Sequence, residues 1–266
     1  MSNEKSLSLD DFQPYKDLSW SLRDGVATVE MCRPPHNYFD GPLIDGLVEA
    51  LNHLDRVDAC RVVVLAAQGK SFCAGADFSN SAMSAPGSAK QLYQRALGLF
   101  RTRKPIVAAV QGAAVGAGLG LALTADFRVV AAGSKLSANF CRLGFHPGFG
   151  LSFTLPRLVG VQQSSMLFYT GRRMGGEEAV AIGLADILAD EGQVLNRAQA
   201  LALEIAESAP LAVMSTRATL RASLADEVGA AMVREASEQD WQWRTLDFKE
   251  GVAAMAERRL PDFTGR

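Results

Sequence analysis

The sequence predicts an α/β fold: strands and helices alternate to about residue 195, and helices alone follow. Three observations carry this. Ala27, Val29 and Met31 alternate with their neighbours over Val26–Met31, as in a strand with one buried face. Val62-Val63-Val64-Leu65 is a continuous apolar run of the kind found in strands covered on both sides. After Pro156 the chain turns to segments rich in alanine, glutamate and arginine at helical spacing, and from about Val194 it is almost all helix.

Taken in order, Pro34-Pro35 stops the first strand, and Pro42 sits at a helix start. Leu43, Ile44, Leu47, Val48, Leu51 and Leu54 then recur at helical spacing, so the opening reads strand–helix–strand. Gly69 to Asp77 is a turn-rich loop and Ser79 to Ser88 a small-residue stretch; a helix follows with Leu92, Ala96, Leu99 and Phe100 on one face. Ile106–Val110 predicts a strand, Gly112–Gly118 a glycine-rich turn and Leu119–Leu123 a buried helix. Short strands are expected near Phe127–Val130 and Leu136–Phe140, with helical segments after Pro156 broken by Gly171, Gly175-Gly176 and Pro210. No low-complexity linker divides the chain, so residues 1–195 and 196–266 differ in architecture without a hinge between them.

Composition narrows the function. The 266 residues carry 27 Lys+Arg against 29 Asp+Glu, a net charge of −2, which argues against a nucleic-acid partner. Cys32, Cys60, Cys73 and Cys141 are scattered and read as reduced thiols, and Met1 to Asp11 has no apolar signal-like core, so a cytoplasmic location is expected. Pro105 to Ala125 is uncharged and long enough to span a bilayer. Its four glycines, proline and glutamine, and the lack of a second such segment, favour a buried soluble element and no membrane.

There is no GxSxG, no GxxxxGK[ST] and no HExxH, and His36, His53 and His146 are too far apart in sequence to suggest a histidine metal site. Gly116-Ala-Gly-Leu-Gly120 is one residue short of a dinucleotide fingerprint. Two loops stand out, Ser71–Asp77 and Gly112–Gly118, each directly after an apolar strand. Two readings fit their spacing equally. Either their unshielded N–H groups converge on one point as an oxyanion hole, or their glycines simply permit tight turns and close packing.

These loops, with Lys104-Pro105-Ile-Val-Ala-Ala-Val-Gln-Gly112 between them, closely resemble the signature of the crotonase (enoyl-CoA hydratase/isomerase) superfamily. Pro34-Pro-His-Asn-Tyr38, Leu143-Gly-Phe-His-Pro-Gly-Phe-Gly150, Leu155-Pro-Arg-Leu-Val-Gly160, Thr170-Gly-Arg-Arg173 and Phe248-Lys-Glu-Gly251 through Glu257-Arg-Arg259 extend the likeness along nearly the whole chain. The resemblance implies a spiral core of ββα units with a C-terminal helical trimerisation region, and trimers or dimers of trimers. It also implies an acyl-CoA thioester as substrate, with CoA part of that substrate and no separate cofactor or metal. The oxyanion donors would be the N–H groups of Ala76 and Ala117. Substrate and CoA would run along His36 and the Cys73–Ala76 stretch, including Ala74, with Asp77, Gly120 and Phe140 also on the binding surface, and with Met255 and Arg258 at positions from which a neighbouring subunit can reach CoA.

The sequence departs from the pattern where relatives carry acids. The two glutamates of typical hydratases correspond to Gly120 and Phe140, and the aspartate of many isomerases and dehalogenases to Gly148. An acid or base contributes about 10² to 10⁴ in rate, so hydration is expected to be weak. His146 is a candidate replacement, with a backbone-bonded loop histidine as the plainer alternative. Asp77 can react or merely anchor its loop, and Tyr93 can point inward or pack in the core. On an alternating strand Asn139 and Cys141 would face away from Phe140, while His53, Trp241 and Trp243 are expected to be packing residues. The resemblance therefore implies an acyl-CoA-processing enzyme with a rebuilt acid–base set. Decarboxylation or thioester hydrolysis on the same fold, or a non-catalytic acyl-CoA-binding subunit, remain alternatives.

Overall fold

Apolar patterning sets the first elements of the structure, a computed structural model that describes residues 16–76 and 87–266. Strands β1 (Leu18–Arg23) and β2 (Val26–Met31) form an antiparallel hairpin, with Ala27, Val29 and Met31 buried as their alternation requires. Helix α1 (Gly41–Leu54) starts where Asp40 accepts a hydrogen bond from the Leu43 N–H at 3.0 Å, and buries Leu43, Ile44, Leu47, Leu51 and Leu54. Strand β3 (Val62–Ala67) is buried at every residue and pairs in parallel with β2, Val29 opposite Leu65.

After α2 (Ser88–Ala96), β4 (Ile106–Val110) joins β3, and β6 (Phe127–Ala131) and β8 (Ile187–Ala189) complete a six-stranded sheet in the order β1-β2-β3-β4-β6-β8, parallel except for the first pair. A separate parallel pair, β5 (Ala113–Val115) and β7 (Lys135–Ser137), lies on either side of the short helix α3 (Ala117–Ala122) in sequence. The uncharged run at 105–125 is therefore strand, strand and helix, and no helix among the described residues is long and apolar enough to cross a membrane.

Helix α4 (Leu151–Thr170) is interrupted at Gly160 (φ 77°, ψ 161°) and is followed by α5 (Gly176–Ala181). The helical third comprises α6 (Val194–Ala206), α7 (Pro210–Leu220), α8 (Leu224–Gln242) and α9 (Leu246–Glu257). The junction read from sequence at 195/196 falls inside α6. That helix sets Val194, Ala198, Ala202 and Ala206 against Val62, Val64, Val107 and Val129 on one face of the sheet. Helix α7 is fastened to the core through Asp126, whose carboxylate accepts from Ile106 N–H (2.8 Å), Arg217 Nε (2.8 Å) and Arg221 Nη1 (3.0 Å). Helix α8 supplies Glu235, fully buried, which accepts from the Gly150 and Ser152 N–H groups at 2.7 and 2.9 Å and so caps the start of α4.

Candidate active site

The two glycine-bearing loops meet because each lies backbone-to-backbone on the other. The segment after β3 is zipped to β5: Phe72 N–H donates to Gln111 O, Cys73 N–H to Ala113 O, and Val115 N–H to Cys73 O. A Cβ on Gly118 would sit 2.0 Å from Cys73 O, so only glycine lets α3 approach this closely. A Cβ on Gly75 (φ 87°) would sit 2.8 Å from Val115 O and 3.9 Å from the Ala117 nitrogen, which places the Gly75–Ala76 peptide beside the start of α3. Buried Asn37 holds the loop from behind, donating from Nδ2 to Gln68 O and Ser71 O, both at 2.7 Å.

Both loops open on a cavity of about 530 Å³, lined by Ala74, Gly75, Ala76, Gly116 and Ala117 among others. Among the described residues no hydrogen bond takes up the N–H of Ala76 or of Ala117. Gly116 N–H is engaged, donating to Ser137 O at 2.8 Å, and Phe39 N–H donates to Gly75 O. The cavity wall thus carries two neighbouring N–H groups in largely apolar surroundings that no described residue takes up.

His36 lies at the exposed edge of this cavity, its backbone oxygen accepting from Ala74 N–H. Ala74 and Met255 also line it, whereas Cys73 is buried behind the wall, its thiol pushed up to about 12 by burial. Arg258 is exposed at the end of α9 (φ 56°) and does not line the cavity of its own chain. Asp77 lies outside the described residues, as do residues 79–86 of the loop singled out in the sequence. Gly120 is displaced from the cavity wall, packed against Phe149.

The expectation for Phe140 and its neighbours is corrected. Strand β7 ends at Ser137, and Phe140 adopts helical angles (φ −57°, ψ −48°) leading into a turn of 3₁₀ helix at Cys141–Leu143. Strand alternation therefore no longer separates 139 from 140, and Asn139 and Phe140 both line the cavity next to Gly116. Phe140 meets Phe145 edge-on at 5.5 Å, and Phe145 meets Trp243 at 6.1 Å, forming an aromatic wall. Trp243 is thus a cavity residue as well as a packing one.

His146 is corrected too. It faces a different cavity, beside Ser152 and Tyr169, and its Nδ1 lies 2.7 Å from Pro147 O. This is the plainer of the two sequence readings, a loop histidine bonded to backbone. Tyr93, which the sequence allows either to point inward or to pack in the core, is buried yet lines the first cavity, and its hydroxyl donates to Gln239 Oε1 at 2.9 Å. Gln239, Lys135 and Arg173 also line the cavity and were not singled out from sequence. Among the described residues neither Lys135 nor Arg173 forms an ion pair, and no cavity-lining residue is Asp or Glu.

Known proteins share this sequence and shape. The sequence model of a family described as enoyl-CoA hydratase/isomerase matches residues 21–266. A protein of Bacillus subtilis (strain 168) named probable enoyl-CoA hydratase is 31% identical over 254 residues, covering 93% of this chain and 98% of its own. A 1,2-epoxyphenylacetyl-CoA isomerase of Escherichia coli (strain K12) is 28% identical, covering 92% and 97%. The crystal structure of an enoyl-CoA hydratase/isomerase from Pseudoalteromonas atlantica T6c superposes with a TM-score of 0.84 at 29% identity, over 94% of this chain and all of that one.

Proposed function

The chain belongs to the enoyl-CoA hydratase/isomerase family, and on that premise we propose that it processes an acyl-CoA thioester whose carbonyl oxygen is held by the N–H groups of Ala76 and Ala117. The observation that carries this reading is the pair of N–H donors, taken up by none of the described residues, on the wall of a largely apolar cavity. As an enolate or a tetrahedral adduct forms, negative charge gathers on the thioester oxygen. Donors already fixed by the packing of Gly75 and Gly118 stabilise that charge without reorganising. Helix α3 has only six residues, so the donors matter more than its dipole. Among the described residues, Lys135 and Arg173 are the cations on the cavity lining suited to an anionic CoA.

Hydration of a simple enoyl thioester is expected to be slow. The positions of the usual hydratase glutamates hold Gly120 and Phe140, and the described part of the cavity lining contributes no carboxylate. That same observation favours a second reading, decarboxylation or thioester hydrolysis, in which the oxyanion site carries more of the catalysis and fewer side-chain acids are needed. A malonyl-type and β-hydroxyacyl-CoA panel separates these readings, and binding without turnover on any member would mark a non-catalytic subunit. Crotonyl-CoA turnover of about 10² s⁻¹ or more would contradict the expected weakness in hydration. We further propose that three or six chains assemble, supported by the exposure of apolar Val161, Met166 and Tyr169 on α4. Light scattering that gives the mass of one chain would refute it.

The oxyanion assignment is tested at position 117. Ala117 is the first residue of α3, where proline fits a helix while removing the N–H. Ala117→Pro is expected to lower turnover of the true substrate by about 10² to 10³, and Ala117→Gly, which keeps the N–H, by far less. Equal effects of the two variants would remove the assignment.

A further inference from the structure

Helices α2 and α8 meet at one buried polar contact, and that contact borders the cavity. Tyr93, on α2, is 6% exposed and Gln239, on α8, is 1% exposed, yet both line the cavity. The Tyr93 hydroxyl donates to Gln239 Oε1 at 2.9 Å and accepts from the Phe149 N–H. Gln239 Nε2 donates to His146 O at 2.8 Å, which fixes the amide's orientation and leaves Oε1 as the acceptor facing Tyr93. The pair also fills the space beside Gly148: a Cβ there would lie 1.8 Å from the Tyr93 hydroxyl oxygen and 2.5 Å from Gln239 Nε2. No side chain at 148 can coexist with it. The Phe149 ring meets Tyr93 edge-on at 6.3 Å, and the buried Glu235 carboxylate on α8 acts on the phenol as a nearby charge.

We propose that Tyr93 and Gln239 determine specificity by receiving a hydroxyl group carried on the acyl chain of the thioester. This rests on the acyl-CoA reading of the cavity. In the free protein the phenol's one proton is held by Gln239 Oε1; a guest hydroxyl that replaces this bond accepts from the phenol and donates to the amide oxygen, so both groups stay satisfied. A carbonyl guest takes the phenol's proton and leaves Gln239 Oε1 buried without a donor, which is costly. A hydrocarbon guest gains nothing from the pair. Burial raises the phenol's pKa, so it stays a neutral donor across the physiological range.

Calorimetric titration of the full chain with butyryl-CoA, both enantiomers of 3-hydroxybutyryl-CoA, and 4-hydroxybutyryl-CoA tests the proposal. At least one hydroxyacyl thioester is expected to bind about fivefold or more tighter than butyryl-CoA. Tyr93→Phe is expected to abolish that preference, so that hydroxyacyl and butyryl thioesters bind alike, whereas a purely structural role would weaken all of them in proportion. Equal binding of all four by the wild type, or a preference that survives Tyr93→Phe, would overturn the proposal and leave the acyl-CoA reading standing. Failure of every thioester to bind would overturn both. Should Tyr93→Phe not fold, a crystal structure with the tighter hydroxyacyl thioester decides. A hydroxyl within hydrogen-bonding distance of the Tyr93 oxygen supports the assignment, and a hydroxyl placed elsewhere overturns it.

Discussion

Gly120 and Phe149 interlock so closely that a Cβ on Gly120 would lie 2.8 Å from one ring carbon of Phe149 and 3.0 Å from its Cβ. The position at which the resemblance expects a glutamate is therefore closed by a phenylalanine that is itself fully buried and packed against Phe39 at 5.4 Å. Gly120→Ala should destabilise the fold by about 1–3 kcal/mol through overpacking, read from the midpoint of urea unfolding. Gly120→Glu should cost more and bring no gain in crotonyl-CoA hydration. A stable, hydrating Gly120→Glu variant would contradict this geometry.

Asn37 is the clamp behind the first loop. Its amide donates to Gln68 O and Ser71 O, its Oδ1 accepts from Arg33 N–H at 2.9 Å, and its backbone sits at φ 48°. Asn37→Ala strands buried polar groups and puts alanine in a left-handed conformation, so a loss of about 2 kcal/mol or more is expected in thermal or chemical unfolding. Acyl-CoA affinity should fall with it, because the loop bearing Ala76 loses its backing.

Asp126 joins α7 to the sheet. Arg217 is 8% exposed, with Nε bonded to Asp126 and Nη1 to Thr102 O, and burial lowers the Arg221 pKa to about 10 despite the same carboxylate. Asp126→Ala leaves two mostly buried guanidinium groups facing no carboxylate. A loss of about 3–5 kcal/mol is expected, with Asp126→Asn intermediate, measured by denaturant titration.

Cys60 and Cys73 govern alkaline stability. Burial raises their thiols to about 11 and about 12, above the ordinary cysteine value, so the folded state holds their protons more tightly than the unfolded chain. Their contribution to stability is present below the unfolded pKa, near 8.5, and is lost as pH rises from there through the folded values. Unfolding free energy should decline above about pH 9, and Cys73→Ala should flatten that decline. In the folded protein at pH 8 both thiols should resist a thiol reagent that modifies them after denaturation.

Much of the fold was legible because its signals are local. The all-apolar β3, the Pro42 start of α1 and the two glycine loops each declare themselves within a few residues. The site was legible only in part. Ala74, Ala76 and Ala117 sit on those loops, but Gln239 and Trp243 come from a helix about 150 residues away and reach the cavity only through the packing of α8 on α2. Asn139 was misread because strand alternation was extended past Ser137 to Phe140, where the chain already turns. For His146 the sequence left two readings open, because a place in a loop does not fix which way a side chain points. Its ring turns to Pro147 O and to the other cavity.

The central claim, that the N–H groups of Ala76 and Ala117 hold the thioester oxygen, is tested most directly by isotope-edited infrared difference spectroscopy of butyryl-CoA labelled with ¹³C at the carbonyl. Bound to the wild-type protein, the carbonyl stretch should move to lower frequency than in water, and with Ala117→Pro most of that shift should disappear while Ala117→Gly retains it. A bound thioester whose carbonyl stretch is unshifted in the wild type, or shifted equally in the proline variant, would contradict the account.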